Sequence, residues 1–501
     1  MLLLRHATLS AIAVALATPA AAISPEELWS GWKEFLADSY GATVEIGNEQ
    51  ASGETLTVTE VTITSESEDG SFEAILDEIV FENIGDGQVR ITLPEEIPIG
   101  MAVVVDEGES GLVSMTMGQP GASLTASGTV EDTRYDFDYP TVTLGDFDMV
   151  VPEAPQEDVP VAISMEASGL SGFVTLSGTD VRSYSSETRM AGLTFDVSAS
   201  DIEGAEGESF EFSLSLADVN QVVTGSIGSL APGASLSELI ASGTTQDGRA
   251  THGPVTYSLA VESPEGTFNM AAAAENGELT ATMDEDGLSY GTTTRKATAT
   301  IGGSSIPLPP IALSIEETGG LFRMPLVPGP DAQDFQLVTK ILGLTADDML
   351  WSIFDPAGAL PRDAANLVID ITGSGVLIQD FTDPAFSENP EEMEAPGELQ
   401  SLTVNELLFS IAGAELKGVG DFTFSNDTGV PMPSGKATIS LAGANRLIDT
   451  LVGMGLLPEE QAMGARMMMG LFARPDGEDK LVSEIEVTED GQILANGQRI
   501  R

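Results

Sequence analysis

The chain is 501 residues long, 42% hydrophobic and free of cysteine. That length and content allow two or three domains or one long sheet, and the missing thiols exclude disulfides, thiolate metal sites, cysteine nucleophiles and a lipid-modified cysteine anchor. With 20 Lys+Arg against 79 Asp+Glu, the net charge is −59, which argues against nucleic acid and anionic membrane surfaces as direct partners.

Met1–Ala22 reads as a secretory signal. Arg5 supplies the positive start, residues 7–17 the apolar stretch, and Ala20, Ala21 and Ala22 the small-residue cleavage motif, with Ala20 and Ala22 flanking the residue between them. The apolar run is too short to span a bilayer, and no later stretch is long and apolar enough. The chain is therefore expected to be exported, with no transmembrane segment after signal removal. Ser24-Pro25-Glu26-Glu27 is a capping box with proline at the first helical position. The helix it opens carries Leu28, Trp29, Trp32, Phe35 and Leu36, and is expected to pack as a lid on one end of a sheet.

From Gly53 to about Ile315 the pattern is strand after strand. Thr55 to Ile63 is rich in β-branched residues. Tyr135, Phe137 and Tyr139 alternate with Asp136 and Asp138, and residues 194–198, 210–216 and 255–261 keep the same period of two. Alternation requires only one covered face, which argues for antiparallel strands. Ser127-Gly-Thr129, Ser177-Gly-Thr179 and Ser242-Gly-Thr244 each read as the end of an apolar strand, a weak repeated hairpin. The Pro-rich run Val151 to Pro160 is the clearest internal break.

Composition shifts again near Pro325 to Pro330. Phe335, Val338 and Leu342 fall at helical spacing, so a helix ending at Gly343 is expected. Thr345 is placed to cap a second helix carrying Met349, Leu350, Ile353 and Phe354. Strands resume at 367–371, 375–379 and 402–424, around a solvated loop at 383–398. The closing stretch, 436–501, reads as a strand, two amphipathic helices and a β-hairpin turning at Asp490-Gly491. The apolar face of its second helix, Met463, Met467, Met468, Leu471 and Phe472, is expected to pack on the sheet.

The fold expected is mainly β (α+β): an extended curved antiparallel sheet of repeated hairpins, with a helix near the N-terminus and two helical pairs in the C-terminal third. The divisions expected are 1–22, signal; 23–150, N-terminal helix and β region; 161–324, repeated hairpins; and 331–501, helical pairs with a β cap.

Little chemistry is available. Beyond the signal, His252 is the one histidine, in a turn context, and no Gly-x-Ser-x-Gly elbow is present. One histidine and no cysteine cannot build a zinc site of the usual ligands. Asp136, Asp138, Asp146 and Asp148 form two Asp-x-Asp pairs, and Asp284-Glu285-Asp286-Gly287 is an acidic turn. None matches a calcium loop, and in so acidic a chain a solvated face explains them. The sequence assigns no catalytic, cofactor-binding or metal-binding residue and does not name ligand-binding ones.

Two blocks carry a resemblance. Met454-Gly-Leu-Leu-Pro-Glu-Glu-Gln-Ala-Met-Gly-Ala-Arg-Met-Met-Met-Gly-Leu-Phe-Ala473 with Gly491 to Ile500, and Asp355-Pro-Ala-Gly-Ala-Leu-Pro-Arg-Asp363, resemble an uncharacterised family of Gram-negative envelope proteins, domain of unknown function 2125. The resemblance is expected to cover nearly the whole chain after the signal. It implies a periplasmic location and brings no activity. The long strands and ending hairpin have a looser likeness to AsmA-like envelope proteins, which are associated with lipid traffic. The expectation is a non-enzymatic, cofactor-free structural or interaction protein of the cell envelope, its partner an envelope protein or a lipid. The alternative is a lipid- or hydrophobe-binding protein, and a continuous apolar trough in place of a filled core would favour it. Self-repulsion at −59 strains the compact state, and salt screens it, the Debye length falling from about 10 Å at 0.1 M to about 3 Å at 1 M. The melting temperature should therefore rise with NaCl, measured by calorimetry across that range.

Overall fold

The computed structural model describes residues 22–67, 70–106, 109–150, 161–179, 181–200, 207–228, 235–383, 397–427 and 429–500. The expected signal with Ala20, the 151–160 break and most of the 383–398 loop lie outside them, while Ala22 is described and exposed. The described residues are mostly antiparallel strand and fall into two units. Unit 1 takes residues up to 232 with 242–273 and 302–307; unit 2 takes 233–241, 274–301 and 308 onward.

Unit 1 begins with helix α1 (Pro25–Tyr40), formed where the capping box places it. The Glu27 amide donates to Ser24 Oγ at 3.2 Å and the Ser24 amide donates to the Glu27 carboxylate at 2.9 Å. Gly41, at φ +61°, ends the helix in the left-handed conformation that glycine adopts without strain. The helix lies against β1 (Thr43–Ser52), β2 (Thr55–Ser67) and β3 (Gly70–Gly85). Trp29 and Trp32 meet Phe81 at centroid distances of 5.8 and 5.4 Å. With Leu28, Leu56, Val58, Ile79 and Val89 they make the main buried cluster, with Trp32 at its margin. Both indole N–H groups are satisfied, Trp29 by Glu49 at 3.1 Å and Trp32 by the Tyr135 hydroxyl at 3.0 Å.

Pairing runs β1–β2–β3, all antiparallel. Beyond β3 the sheet divides lengthwise. β4 (Gln88–Thr92) and β7 (Ser123–Gly128) fill one half, β5 (Glu96–Asp106) and β6 (Glu109–Gly118) the other, and both halves end against β8 (Asp132–Val150). The long strands β9 (Val161–Ser177), β10 (Arg182–Ser200) and β11 (Ser209–Ile227) follow as a meander. The two halves of β11 then pair with β12 (Thr245–His252) and β13 (Val255–Ser263), and β14 (Gly266–Ala274) comes next in the chain. The turn context of His252-Gly-Pro is thus a joint between two strands on one partner. The Gly253 amide donates to the Ala217 carbonyl and the Ala217 amide to the Pro254 carbonyl, at 2.9 and 3.0 Å. Two Ser-Gly-Thr motifs end β7 and β9 with Gly128 and Gly178 at positive φ. The third follows the short helix α2 (Leu236–Ala241), where a strand was expected.

In unit 2, β15 (Asn276–Asp284) and β16 (Gly287–Gly302) form a hairpin. β17 (Ile311–Met324), β18 (Gln333–Ala346), β19 (Ala365–Leu377), β20 (Gly397–Ile411), β21 (Ala414–Ser425) and β22 (Met432–Ala442) extend it strand by strand. The two-residue β23 (Arg474–Pro475) pairs with β24 (Lys480–Val487), which also joins β22. The small strands β25 (Ile493–Ala495) and β26 (Gln498–Arg499) finish the sheet.

The helix expected from Phe335, Val338 and Leu342 is the middle of β18. The period of two wins there: Phe335, Leu337 and Ile341 share one face, and Val338 lies on the other. Among the described residues the first helical pair is therefore a single helix, α3 (Asp348–Phe354). Its cap is Asp347, which accepts from the Leu350 amide at 3.0 Å, while Thr345 belongs to β18. The second pair forms as α4 (Ala444–Gly453) and α5 (Glu459–Phe472). Gly443 has no side chain to cap α4, and Asp479 does so instead, accepting from the Asn445 and Arg446 amides at 3.0 and 3.1 Å. The methionine face of α5 does not pack on the sheet as expected. Met463 and Met467 are 71% and 70% exposed, Met468 and Leu471 are exposed too, and Ala462 is the buried residue of the helix.

Because the main buried cluster depends on α1, Trp29→Ala should destabilise unit 1 by about 3–5 kcal/mol. Denaturant melts should show a lower midpoint for the variant than for wild type, with no gain in slope.

Candidate functional site

The acidic pairs do not converge. Asp138 and Asp146 stand eight residues apart on β8, about 26 Å along an extended strand. Asp136 is held by Arg134 through contacts of 2.6–3.0 Å, and Asp146 sits at φ +53° in a bulge against β6. Asp284 caps its own hairpin by accepting from the Asp286 amide at 2.9 Å. Among the described residues no three His, Asp or Glu side chains are grouped to hold a metal ion. His252 Nδ1 donates to the neighbouring Gly253 carbonyl at 2.7 Å.

What unit 1 does present is an apolar face. Strand register sets Ile97, Met117, Leu144, Met165, Phe195, Leu214 and Tyr257 side by side, one residue from each of seven strands. At about 4.8 Å per strand this row is ~29 Å long. Neighbouring rows repeat the chemistry: Val142, Ala167, Leu193, Leu216 and Val255 on one side, Ile163, Val197, Phe212 and Leu259 on the other. The row begins in the core under α1, where Ile97 is 5% exposed, and ends at Tyr257, 40% exposed. From Met117 to Leu214 every member is half-buried. The opposite face is polar: Thr194 lies between Glu166 and Ser215, and Asp196 accepts from Ser213 Oγ at 2.6 Å. The remaining buried hydrophobic cluster described in this unit is small, Tyr184 with Val223, where burial pushes the Tyr184 hydroxyl up to about 12.

Unit 2 repeats the arrangement with different residues. Ala281, Tyr290, Phe322, Leu337, Ile371 and Val404 form one row across six strands, continued by Gly420, Ala437 and Ile485. Tyr290, Phe322 and Leu337 are 45%, 41% and 43% exposed, so their rings and methyls meet solvent in an unbroken line. A parallel row carries Leu367, Phe409, Leu416, Leu441 and Leu481. A bulge between Val404 and Leu407 keeps Leu407 and Phe409 on the face of Leu402 and Val404. The other face carries polar cross-strand pairs, Asn405 to Asp370 at 3.0 Å, Ser374 with Ser401 at 2.7 Å, Thr403 to Asp421 at 3.0 Å and Lys436 with Glu486 at 3.3 Å, beside the buried Val338 and Val368. Sequence reasoning found the alternation in each strand. It missed these rows, which depend on register between strands whose paired residues lie up to 48 apart in the chain, as Ala437 and Ile485 do.

Residues 257–495 match the sequence model of a family described as an uncharacterized protein conserved in bacteria, DUF2125. That part of the chain is similar to the DUF2125 family. It runs from β13 to β25, includes the blocks at 355–363 and 454–473, and reaches into 491–500. The match is narrower than the expected coverage, since residues 23–256 lie outside it. No curated protein matches the chain, and nothing supports the AsmA likeness.

Within the matched region two carboxylates fasten loops. Asp355, fully buried, accepts from the Ala359 and Leu360 amides at 2.8 and 2.9 Å. The backbone bonds from Leu360 and Ala359 hold its carboxyl below the usual range, which accounts structurally for the first aspartate of the 355–363 block. Asp380 ties α2 to the end of β19. Burial raises its pKa, but hydroxyls of Ser237, Thr382 and Ser235 and the Thr382 amide outweigh this and lower it to about 2. An unfolded aspartate titrates near 3.9, so the unfolded chain takes up the proton first as pH falls. The contribution of Asp380 is therefore complete above about pH 4 and lost as pH falls through about 2. The melting temperature of Asp380→Asn should lie below wild type at pH 6, and the gap should close by pH 2, read by circular dichroism melts across that range.

Proposed function

We propose that this protein binds the acyl chains of lipids along the apolar faces of its sheets and carries them without enzymatic chemistry. The observation behind this reading is the unbroken cross-strand row in each unit, apolar over six or seven strands, half-buried, and backed by a polar face. A sheet folded only for stability buries such a face in a second layer. The energetics favour a two-chain lipid. Full burial of a methylene contributes about 0.8 kcal/mol, and half-covering it on an open face about half that. Roughly a dozen methylenes then give ~5 kcal/mol, a sub-millimolar affinity, and two chains ~10 kcal/mol, a sub-micromolar one. The N-terminal stretch with Ala20 and Ala22 reads as an export signal, and with the family resemblance it supports a periplasmic setting for this carriage. The envelope-interaction reading remains the competitor, with the same faces covered by protein.

Organic extraction of protein purified without detergent, followed by mass spectrometry, should recover two-chain lipid in stoichiometric amount. Tyr257→Asp and Phe322→Asp should each lower the recovered lipid several-fold with little change in melting temperature, because both side chains already meet solvent. An empty extract from folded wild type would overturn the proposal and leave the interaction reading.

A further inference from the structure

The methionine face of α5 serves neither the fold nor the sheet faces. Met463, Met467 and Leu471 fall at i, i+4 and i+8 on one line of the helix, with Met468 beside them, all at least half exposed. The helix is held from behind: Arg466 pairs with Asp449 of α4, and Arg474, just past its end, pairs with Glu484 at 3.0 Å. Unit 2 thus presents an anchored helix with its apolar side outward.

From this, together with the lipid-carrying reading on which it rests, we infer that α5 docks unit 2 onto the surface of a zwitterionic lipid bilayer. Charge selects the occupant. From Glu459 to Arg474 the chain carries Glu459, Glu460, Arg466 and Arg474, a net charge of zero in a chain with 79 acids and 20 bases. Beyond a Debye length of about 8–10 Å the remaining charge is screened, so the helix meets a surface as a locally neutral patch. A second copy of the chain brings another −59, and two such molecules repel as their faces close. An anionic bilayer repels the acidic surroundings of the helix, whereas a zwitterionic one does not. Side-chain type points the same way. Protein–protein anchors are enriched in Trp, Tyr and Arg in packed pockets. This face is methionine and leucine, flexible and without polar atoms to satisfy, which suits the irregular acyl boundary under the headgroups. Docking there would bring a lipid-binding sheet to its source.

The test is vesicle flotation of the purified full chain at 20 °C in about 0.1 M salt, where the Debye length is about 10 Å. Wild type should float with phosphatidylethanolamine–phosphatidylcholine vesicles, and the floating fraction should fall as phosphatidylglycerol is added. Met463→Glu/Met467→Glu should float about tenfold less, a loss of ~1.4 kcal/mol. Both side chains already face solvent, so its circular dichroism and melting temperature should match wild type. Wild type left in the aqueous phase, or a double variant that floats equally well, would overturn the inference. So would light scattering showing a wild-type dimer that the variant dissolves, which would assign the face to self-association. Lipid recovered by extraction is measured on the same samples. Retained lipid with no flotation sinks the docking alone, and flotation with an empty extract sinks the carrying reading alone.

Discussion

Strand register is the constraint on which the molecule depends. Side chains alternate across a strand, so a slip of one residue at any pairing would carry that strand's apolar residues to the polar face. The row from Ile97 to Tyr257 survives six successive pairings without a polar member. Local irregularities sit where they preserve that phase. In unit 1, Gly169 on β9 and Asp218 on β11 take positive φ at mid-strand, and a Cβ on Gly169 would come within 3.0 Å of the Ala191 Cβ. In unit 2, Lys296 on β16 and Gly343 on β18 do the same on either side of β17. Each absorbs an extra residue or a twist while the flanking pairs stay in step.

A sheet with a solvent-facing apolar side invites stacking with another copy, and the composition opposes this. Acids outnumber bases about fourfold, and in the long strands they lie on the faces opposite the apolar rows, as Glu166 and Asp196 do. The large negative charge, which says little about fold, thus opposes pairing of these rows between copies.

Strand by strand, much of this was legible. The capping box at Ser24 announced α1, and the indoles at Trp29 and Trp32 announced its packing. Pro458 and Asp490-Gly491 marked the start of α5 and the closing turn. The failures have physical causes. Phe335, Val338 and Leu342 fit a helical spacing only because β18 carries apolar residues on both faces, Val338 being buried on its own side. The Met463–Leu471 face was correctly read as one face, but periodicity states which residues lie together and not whether anything covers them. The tie between Asp380 and Ser235 joins residues 145 apart, and no local pattern encodes it.

The two ends of the unit 1 row explain how one pattern gives both a fold and a face. At Ile97 the apolar side meets α1, excludes water and becomes core. Strand by strand the helix is left behind while the register continues, so the same side chains pass from stabilising the chain to facing solvent at Tyr257. Covering that face with protein would add stability at the expense of a surface for ligand. The helix that opens unit 1, with Trp29 and Trp32, packs on β1 to β3 and their neighbours. Among the described residues, the stability of unit 1 is therefore concentrated at one end of the sheet, and the remaining strands are held by long ladders of backbone hydrogen bonds, with an apolar side of the kind that the proposed lipid binding would use.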